Sequence, residues 1–248
     1  MLTSEEYAYL QNVFRLRTLA QADRRSVPGE AIGDVQTCRA LLERMMPLIG
    51  APDLAIAASL FAKRVAFLAS GNVLYAMSVF DKGLPLSLNT CRLEYAHDGG
   101  LWTSSLPMDV TATAYTPGAR EAWREAIVGA LFRTFFAPLW QSLSQVSGLS
   151  QHILWENTAV RVYSLYQGRM EGLTVEQEER QQADFAWLLE GAEPSLFGLP
   201  WNPLQRFRRP LQQSAAGPRV RFRRTCCFYY KTVQPVAYCH NCPLCKVT

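Results

Sequence analysis

The stretch Pro52–Phe80, PDLAIAASLFAKRVAFLASGNVLYAMSVF, holds the most apolar run of the chain, and its reading decides the fold. A bilayer span needs about 20 predominantly apolar residues, and Lys63 and Arg64 break this run in its middle. Arg133 breaks the run Phe132–Trp140 in the same way, so no segment is expected to cross a membrane. Pro52 and Asp53 suit a helix start. The segment is therefore expected to form a buried helix to about Leu68, with Gly71 separating it from a short helix through Phe80. At 248 residues and 27.9 kDa the chain can bury a full core around it. With 49% hydrophobic and 19% charged residues, wholesale disorder is excluded.

Outward from this segment the periodicity is mostly helical. Ser4 with Leu10, Val13 and Phe14 predicts a capped amphipathic helix, and a polar loop with Pro28 and Gly29 follows. Asp34 opens a helix with Val35, Cys38, Leu41, Leu42 and Met45 on one face, ending at Pro47 and Gly50. Cys38 is thus a core residue. Between Leu84 and Val110 the period shortens to two, and Asp98-Gly99-Gly100 supplies a turn, which predicts a β-hairpin that packs Cys91 and exposes His97. Helical spacing returns from Ala122 to Leu143, with a kink at Pro138, and again from Leu149 to Tyr166. Thr174-Val175-Glu176-Gln177 is a capping box opening a helix to Leu189. Four prolines make 191–217 a loop, and Arg219–Arg224 alternates as a short strand. The expected class is α+β, predominantly helical with a central β-hairpin or small antiparallel sheet. A body of residues 1–217 precedes a tail of residues 218–248.

Charge and cysteine are distributed unevenly. Residues 194–248 contain no Asp or Glu but nine basic residues: Arg206, Arg208, Arg209, Arg219, Arg221, Arg223, Arg224, Lys231 and Lys246. The first 193 residues hold the other 16 basic residues and all 21 acidic ones, a net charge of −5. A basic tail on an acidic body points to an anionic partner or to compensation of an anionic metal–thiolate centre. Met1–Glu6 shows neither a basic nor an apolar leader region, so reducing cytoplasm is the expected compartment. The same basic tail is compatible with peripheral contact at an anionic inner membrane leaflet.

Five of the seven cysteines lie in the last 23 residues, as Cys226-Cys227, eleven residues, then Cys239-His240-Asn241-Cys242-Pro243-Leu244-Cys245. Thiols clustered at this spacing suit soft-ligand coordination of iron or zinc. A zinc knuckle could draw on His240, although adjacent cysteines make a poor hook for tetrahedral zinc. A disulfide staple does not suit the expected compartment. Cys245 extends the second motif toward the spacing of [4Fe–4S] ligation, without its final Cys-Pro.

Arg223-Arg224-Thr225-Cys226-Cys227 followed by Cys239-x-x-Cys242 at the C-terminus resembles the FhuF-type ferric-siderophore reductases, and Leu154-Trp155-Glu156-Asn157-Thr158 is similar to their helical Trp-x-Asn-Thr segment. The resemblance implies a [2Fe–2S] cluster held by Cys226, Cys227, Cys239 and Cys242, with Cys245 beside it as a non-ligand. It also implies one-electron reduction of a cytoplasmic ferric siderophore. The spacer is slightly longer than the family's. Adjacent Cys226 and Cys227 require a turn, because successive strand side chains face opposite ways.

Arg221, Arg223, Arg224, Lys231, Asn157 and Tyr229 are the candidate substrate contacts, and Trp201, Phe207, Tyr229 and Tyr230 are expected to pack either against a chelator or around the cluster. Trp155 reads as core, and His152 as a capping or surface residue. No nicotinamide, flavin or nucleotide loop is present, so an external donor, whether a ferredoxin, a flavoprotein or a thiol reductant, is expected. A nucleic-acid-binding or regulatory protein whose basic tail is organised by zinc or a cluster is the alternative. No helix carries a basic stripe, so nucleic acid is not an expected partner. A siderophore-binding protein without reductase activity is a third reading.

Overall fold

The structure, a computed structural model, describes residues 1–213, 217 and 219–245; the basic residue Lys246 lies outside the described residues. Its elements are α1 (Ser4–Phe14), β1 (Leu16–Thr18), β2 (Ser26–Pro28), α2 (Val35–Ile49), α3 (Leu54–Ser78), β3 (Arg92–Glu94) and β4 (Leu106–Met108). They are followed by α4 (Arg120–Gly129), a π-helical segment (Ala130–Phe136), α5 (Ala137–Ser147), α6 (Gln151–Gly168), α7 (Val175–Glu190), α8 (Pro203–Arg206), β5 (Gln212–Gln213) and β6 (Arg219–Val220). The mostly helical α+β class is the one expected.

The central element is α3, capped by Asp53 Oδ1 on the Ile56 N–H at 2.8 Å. Twenty of its 25 residues are buried. By length and composition it is apolar enough to cross a membrane, so the charged pair is a weaker argument than the sequence reading made it. What covers it is protein: α6 packs along it most extensively, with α1, α2 and α5 on other sides. The helix also runs unbroken through Gly71, contrary to the two-helix expectation. A Cβ there would come within 2.3 Å of the Phe14 ring, so glycine marks where α1 presses on α3, not a helix end.

The expected hairpin is only partly formed. The chain reverses at Asp98–Leu101, where His97 bridges Trp102 and Asp98 N–H donates to Leu101 C=O at 3.1 Å. The strand ladders, however, recruit the N-terminus. β1 runs parallel to β4, with Leu16 opposite Leu106, and β2 runs antiparallel to β3, with Ser26 opposite Glu94. Three-residue strands are too short to show a period of two, so β1 and β2 left no sequence signal. Glu94, buried, stitches these pieces by accepting from the N–H groups of Asp23 and Ser105.

Smaller expectations also shift. Thr3 caps α1 instead of Ser4, and Pro47 sits inside α2, which ends at Gly50. A π-helical segment precedes Pro138 where a kink was expected. Within 191–217, the expected loop, α8 and β5 form. The strand expected over Arg219–Arg224 shortens to β6, paired antiparallel with β5 across the expected 217/218 domain boundary. His97 is half-buried against Trp102. Thr174 caps α7 with the full capping box, and Cys38 and Cys91 are core residues as read.

Candidate metal centre

Beyond β6 the chain is laid along α6 and α3 by a buried polar network. Glu156, on α6, accepts hydrogen bonds from the backbone N–H groups of Arg224 at 2.6 Å and Thr225 at 2.7 Å, and from the Thr225 hydroxyl. Next to it, Arg223 donates to Asn157 Oδ1 at 2.6 Å. Asn157 Nδ2 in turn donates to the Ser59 carbonyl of α3 at 3.0 Å, and Ser59 Oγ donates to the Cys227 carbonyl at 2.9 Å. Helical position thus matters: Glu156 and Asn157 are adjacent on α6 and grip consecutive parts of the tail.

The two cysteine segments are tied directly. Arg223 N–H donates to the Asn241 carbonyl at 3.0 Å. After the cysteine pair the backbone doubles back at Phe228, whose φ of +63° is left-handed, and its N–H donates to Cys226 Sγ at 3.3 Å. The required turn is therefore present. Downstream, Cys242 N–H bonds the Cys239 carbonyl at 2.9 Å and Cys245 N–H bonds the Cys242 carbonyl at 3.2 Å, stacking these residues in successive tight turns.

All five tail thiols are free; Cys227 and Cys242 are buried, Cys226 and Cys239 half-buried, and Cys245 exposed. Cys227 Sγ and Cys239 Sγ lie 3.6 Å apart. Tetrahedral coordination with metal–sulfur bonds of about 2.3 Å would place two sulfurs of one metal about 3.8 Å apart, so this pair has the spacing of ligands to a common ion. Lys63 Nζ, from the middle of α3, reaches Cys227 Sγ at 3.4 Å. The hydrogen bond from Cys239 and then the charges of Lys63 and Arg223 outweigh burial and pull the Cys227 thiol well below the usual thiol range. The same sulfur–sulfur contact pushes Cys239 up, because the pair shares one proton. Burial raises Cys226.

These residues fit an anionic iron–sulfur group. The donor set is soft, and it is flanked by the buried Arg223 and the half-buried Lys63 and Arg161. Arg223 Nε is buried without a hydrogen-bond partner, 3.9 Å from Glu156 Oε2. Burial followed by the charges of Arg169 and Arg223 lowers Arg161, while the Cys227 and Cys239 thiolates pull it the other way. Among the described residues no three His, Cys, Asp or Glu side chains converge as a single ion requires. Each iron of a binuclear cluster asks for only two thiolates. His240 is exposed.

The candidate substrate contacts do not converge. Arg223 and Asn157 are buried and engaged with each other, which ties the tail to α6, and Arg223 also lines the cavity that Arg221 borders. Arg224 is exposed, and its backbone is what Glu156 uses. Arg221 bonds the Arg209 carbonyl and borders a cavity of about 450 Å³ with Cys239 and His240. Lys231 lies 5.7 Å from the Phe228 ring centre, and Tyr229 lies under Lys63 at 5.1 Å, beside a second cavity. Trp201 and Phe207 pack with His152 at the start of α6, and Tyr230 stacks on Tyr238. Trp155 is core.

Sequence reasoning missed Lys63, Ser59, Arg161 and Glu156. A charged pair in a core helix was the available signal for Lys63, since such a charge needs a partner. Glu156 stood inside the quoted helical motif but was passed over for Asn157.

Two family models match the chain. The model described as "Ferric iron reductase FhuF-like transporter" matches residues 59–210, from Ser59 in α3 to Pro210. The model described as "FhuF 2Fe-2S C-terminal domain" matches residues 223–244. The second match spans Cys226, Cys227, Cys239 and Cys242 and stops before Cys245. No curated protein matches the chain. The cofactor is therefore a [2Fe–2S] cluster, which replaces the zinc and [4Fe–4S] alternatives.

Proposed function

The chain belongs to the ferric iron reductase FhuF-like family, and from that premise we propose that it is a cytoplasmic ferric-siderophore reductase. Cys226, Cys227, Cys239 and Cys242 hold the cluster. When bound, the cluster takes up and passes on single electrons. The substrate is Fe(III) wrapped in a chelator's hard oxygen donors. One electron converts it to Fe(II), which such oxygens hold weakly, so iron leaves and the chelator stays intact. The electron comes from a ferredoxin, a flavoprotein or a thiol reductant, which is oxidised in turn. Cytoplasmic residence and peripheral contact of the basic tail with the inner membrane belong to the same proposal.

One observation carries this reading. The thiol cluster is not sealed in the core: Cys239 lines the open cavity of about 450 Å³. Lys63 and Arg161 stand between that cavity and its neighbour, which both of them also line. A chelate can therefore approach the cysteines without unfolding the tail. The test is a single turnover. Cluster-loaded protein, reduced and freed of reductant under anaerobic conditions, is mixed with ferric chelates and an Fe(II) trap. Fe(II) should appear as the cluster reoxidises, one per cluster. Loaded, reduced protein that yields no Fe(II) from any chelate would sink the proposal.

Lys63 has a measurable part. Its ammonium at 3.4 Å from Cys227 Sγ favours the more negative state of the thiolate centre. Lys63→Met is expected to lower the midpoint potential by roughly 50 mV, a differential of about 1 kcal/mol for a one-electron couple. Lys63→Arg should restore most of it. A redox titration followed by EPR reads both variants, and an unchanged potential in Lys63→Met would show that this contact does no tuning.

A further inference from the structure

We infer that the cavity between α3, α6, the turn at 97–102 and the segment 229–233 binds a polyanionic, aromatic ferric chelate of the tris-catecholate class. This inference rests on the reductase reading above. The cavity measures about 630 Å³, and no Asp or Glu lines it. That volume is in the range of small-molecule sites, roughly 300–1,000 Å³, and well beyond what a simple phosphate would fill.

Its walls carry two complementary chemistries. Lys63, Arg64, Arg161 and Arg169 supply positive charge from α3 and α6. Phe67, Trp102 and Tyr229 supply aromatic surface. Three of the guanidiniums gather on one ring: Arg169 at 5.3 Å, Arg64 at 5.7 Å and Arg161 at 5.9 Å from the Phe67 centre. Among the described residues, none of the four cations forms an ion pair with a carboxylate. One ring does not neutralise three cations. Burial followed by the charges of Arg15 and Arg161 pushes Arg64 down to about 10 against the pull of Glu94, and its guanidinium donates to Ser104 Oγ at 3.1 Å and to the Ser104 carbonyl.

A ferric tris-catecholate is a trianion presenting flat rings, so it matches both wall types. A neutral ferric trihydroxamate matches neither. Lys63 links the site to the redox centre, since it lines the cavity and contacts Cys227 Sγ at 3.4 Å. The neighbouring cavity, which touches Cys239, is smaller, about 450 Å³, and is lined by Glu156 as well as by Arg219, Arg221 and Arg223.

The test uses redox-inert gallium(III), so that binding is read apart from turnover. Cluster-loaded protein is titrated calorimetrically with the gallium complex of a hexadentate tris-catechol chelator and with that of a trihydroxamate. The tris-catecholate complex should bind, with affinity falling as salt rises. Its dissociation constant should rise about tenfold in Arg169→Gln, where an exposed charge is removed. It should also rise in Leu101→Glu, which adds an anion at the exposed rim. The trihydroxamate should bind weakly and identically in all three proteins. Equal binding of both complexes, or insensitivity to both variants, would overturn the assignment. So would weakening by Arg221→Gln alone, which would move the ligand to the other cavity. Binding as expected without Fe(II) release from any ferric chelate would leave this site standing and remove the reductase reading. Release from hydroxamates without tris-catecholate binding would do the reverse.

Discussion

Cys227→Ser is expected to leave a protein that retains almost no iron or sulfide and lacks the EPR signal of the reduced cluster. Cys227 is the buried member of the adjacent pair, and its sulfur meets both Cys239 Sγ at 3.6 Å and Lys63 Nζ at 3.4 Å. A serine oxygen is shorter, harder and far less acidic than this thiol, so it neither spans the gap nor supplies a soft anion. The loss should exceed the roughly 10–100-fold in metal affinity that removing an outer partner of a ligand costs. Cys245→Ser is the matched control. Cys245 is exposed and lies beyond the matched [2Fe–2S] domain, so its variant should load normally. Metal and sulfide analysis of both proteins decides the ligand set. Full loading of Cys227→Ser, or loss of the cluster in Cys245→Ser, would each require a different set.

The second large effect is expected away from the cysteines. Glu156→Ala removes the acceptor for the backbone N–H groups of Arg224 and Thr225 and for the Thr225 hydroxyl. It also leaves the buried Arg223 guanidinium with Asn157 as its polar partner and no carboxylate beside it. Stranding a buried charge in this way costs about 3–5 kcal/mol. That energy is held at the junction of tail and body, so the tail should detach before the helices melt. The variant should show rapid amide exchange over 221–228, cleavage by trypsin near Arg223 and Arg224, and poor cluster loading, while helical circular dichroism stays near wild type. Glu156→Gln, which keeps one carbonyl oxygen, should fall between. A Glu156→Ala protein that loads its cluster fully, with protected amides over 221–228, would show that the clamp is dispensable.

Legibility from sequence varied with the range of the interactions involved. Helices α2, α6 and α7 were readable because their apolar period and caps are local, as with Thr174 and Gln177. The short ladders of β1 with β4 and β2 with β3 were not, because each joins residues about 65 to 90 positions apart through three-residue strands. Gly71 misled for the same reason. Its local meaning is a helix break, and its actual meaning comes from Phe14, distant in sequence and in contact in space. Asn157 was picked as a ligand contact because it is polar on a helix, yet burial turns it into a strut.

By itself the sequence determined the helical character of the body, the cysteine spacing and hence the iron–sulfur tail, because thiol ligand sets and helix caps are written in consecutive or closely spaced residues. Only the tertiary structure decided that Lys63 faces Cys227, that Glu156 clamps the tail, and that four body cations share one aromatic cavity. Those facts depend on α3 and α6 packing side by side, which brings residues about 100 positions apart into contact. No local pattern of side chains specifies which faces of two helices will meet.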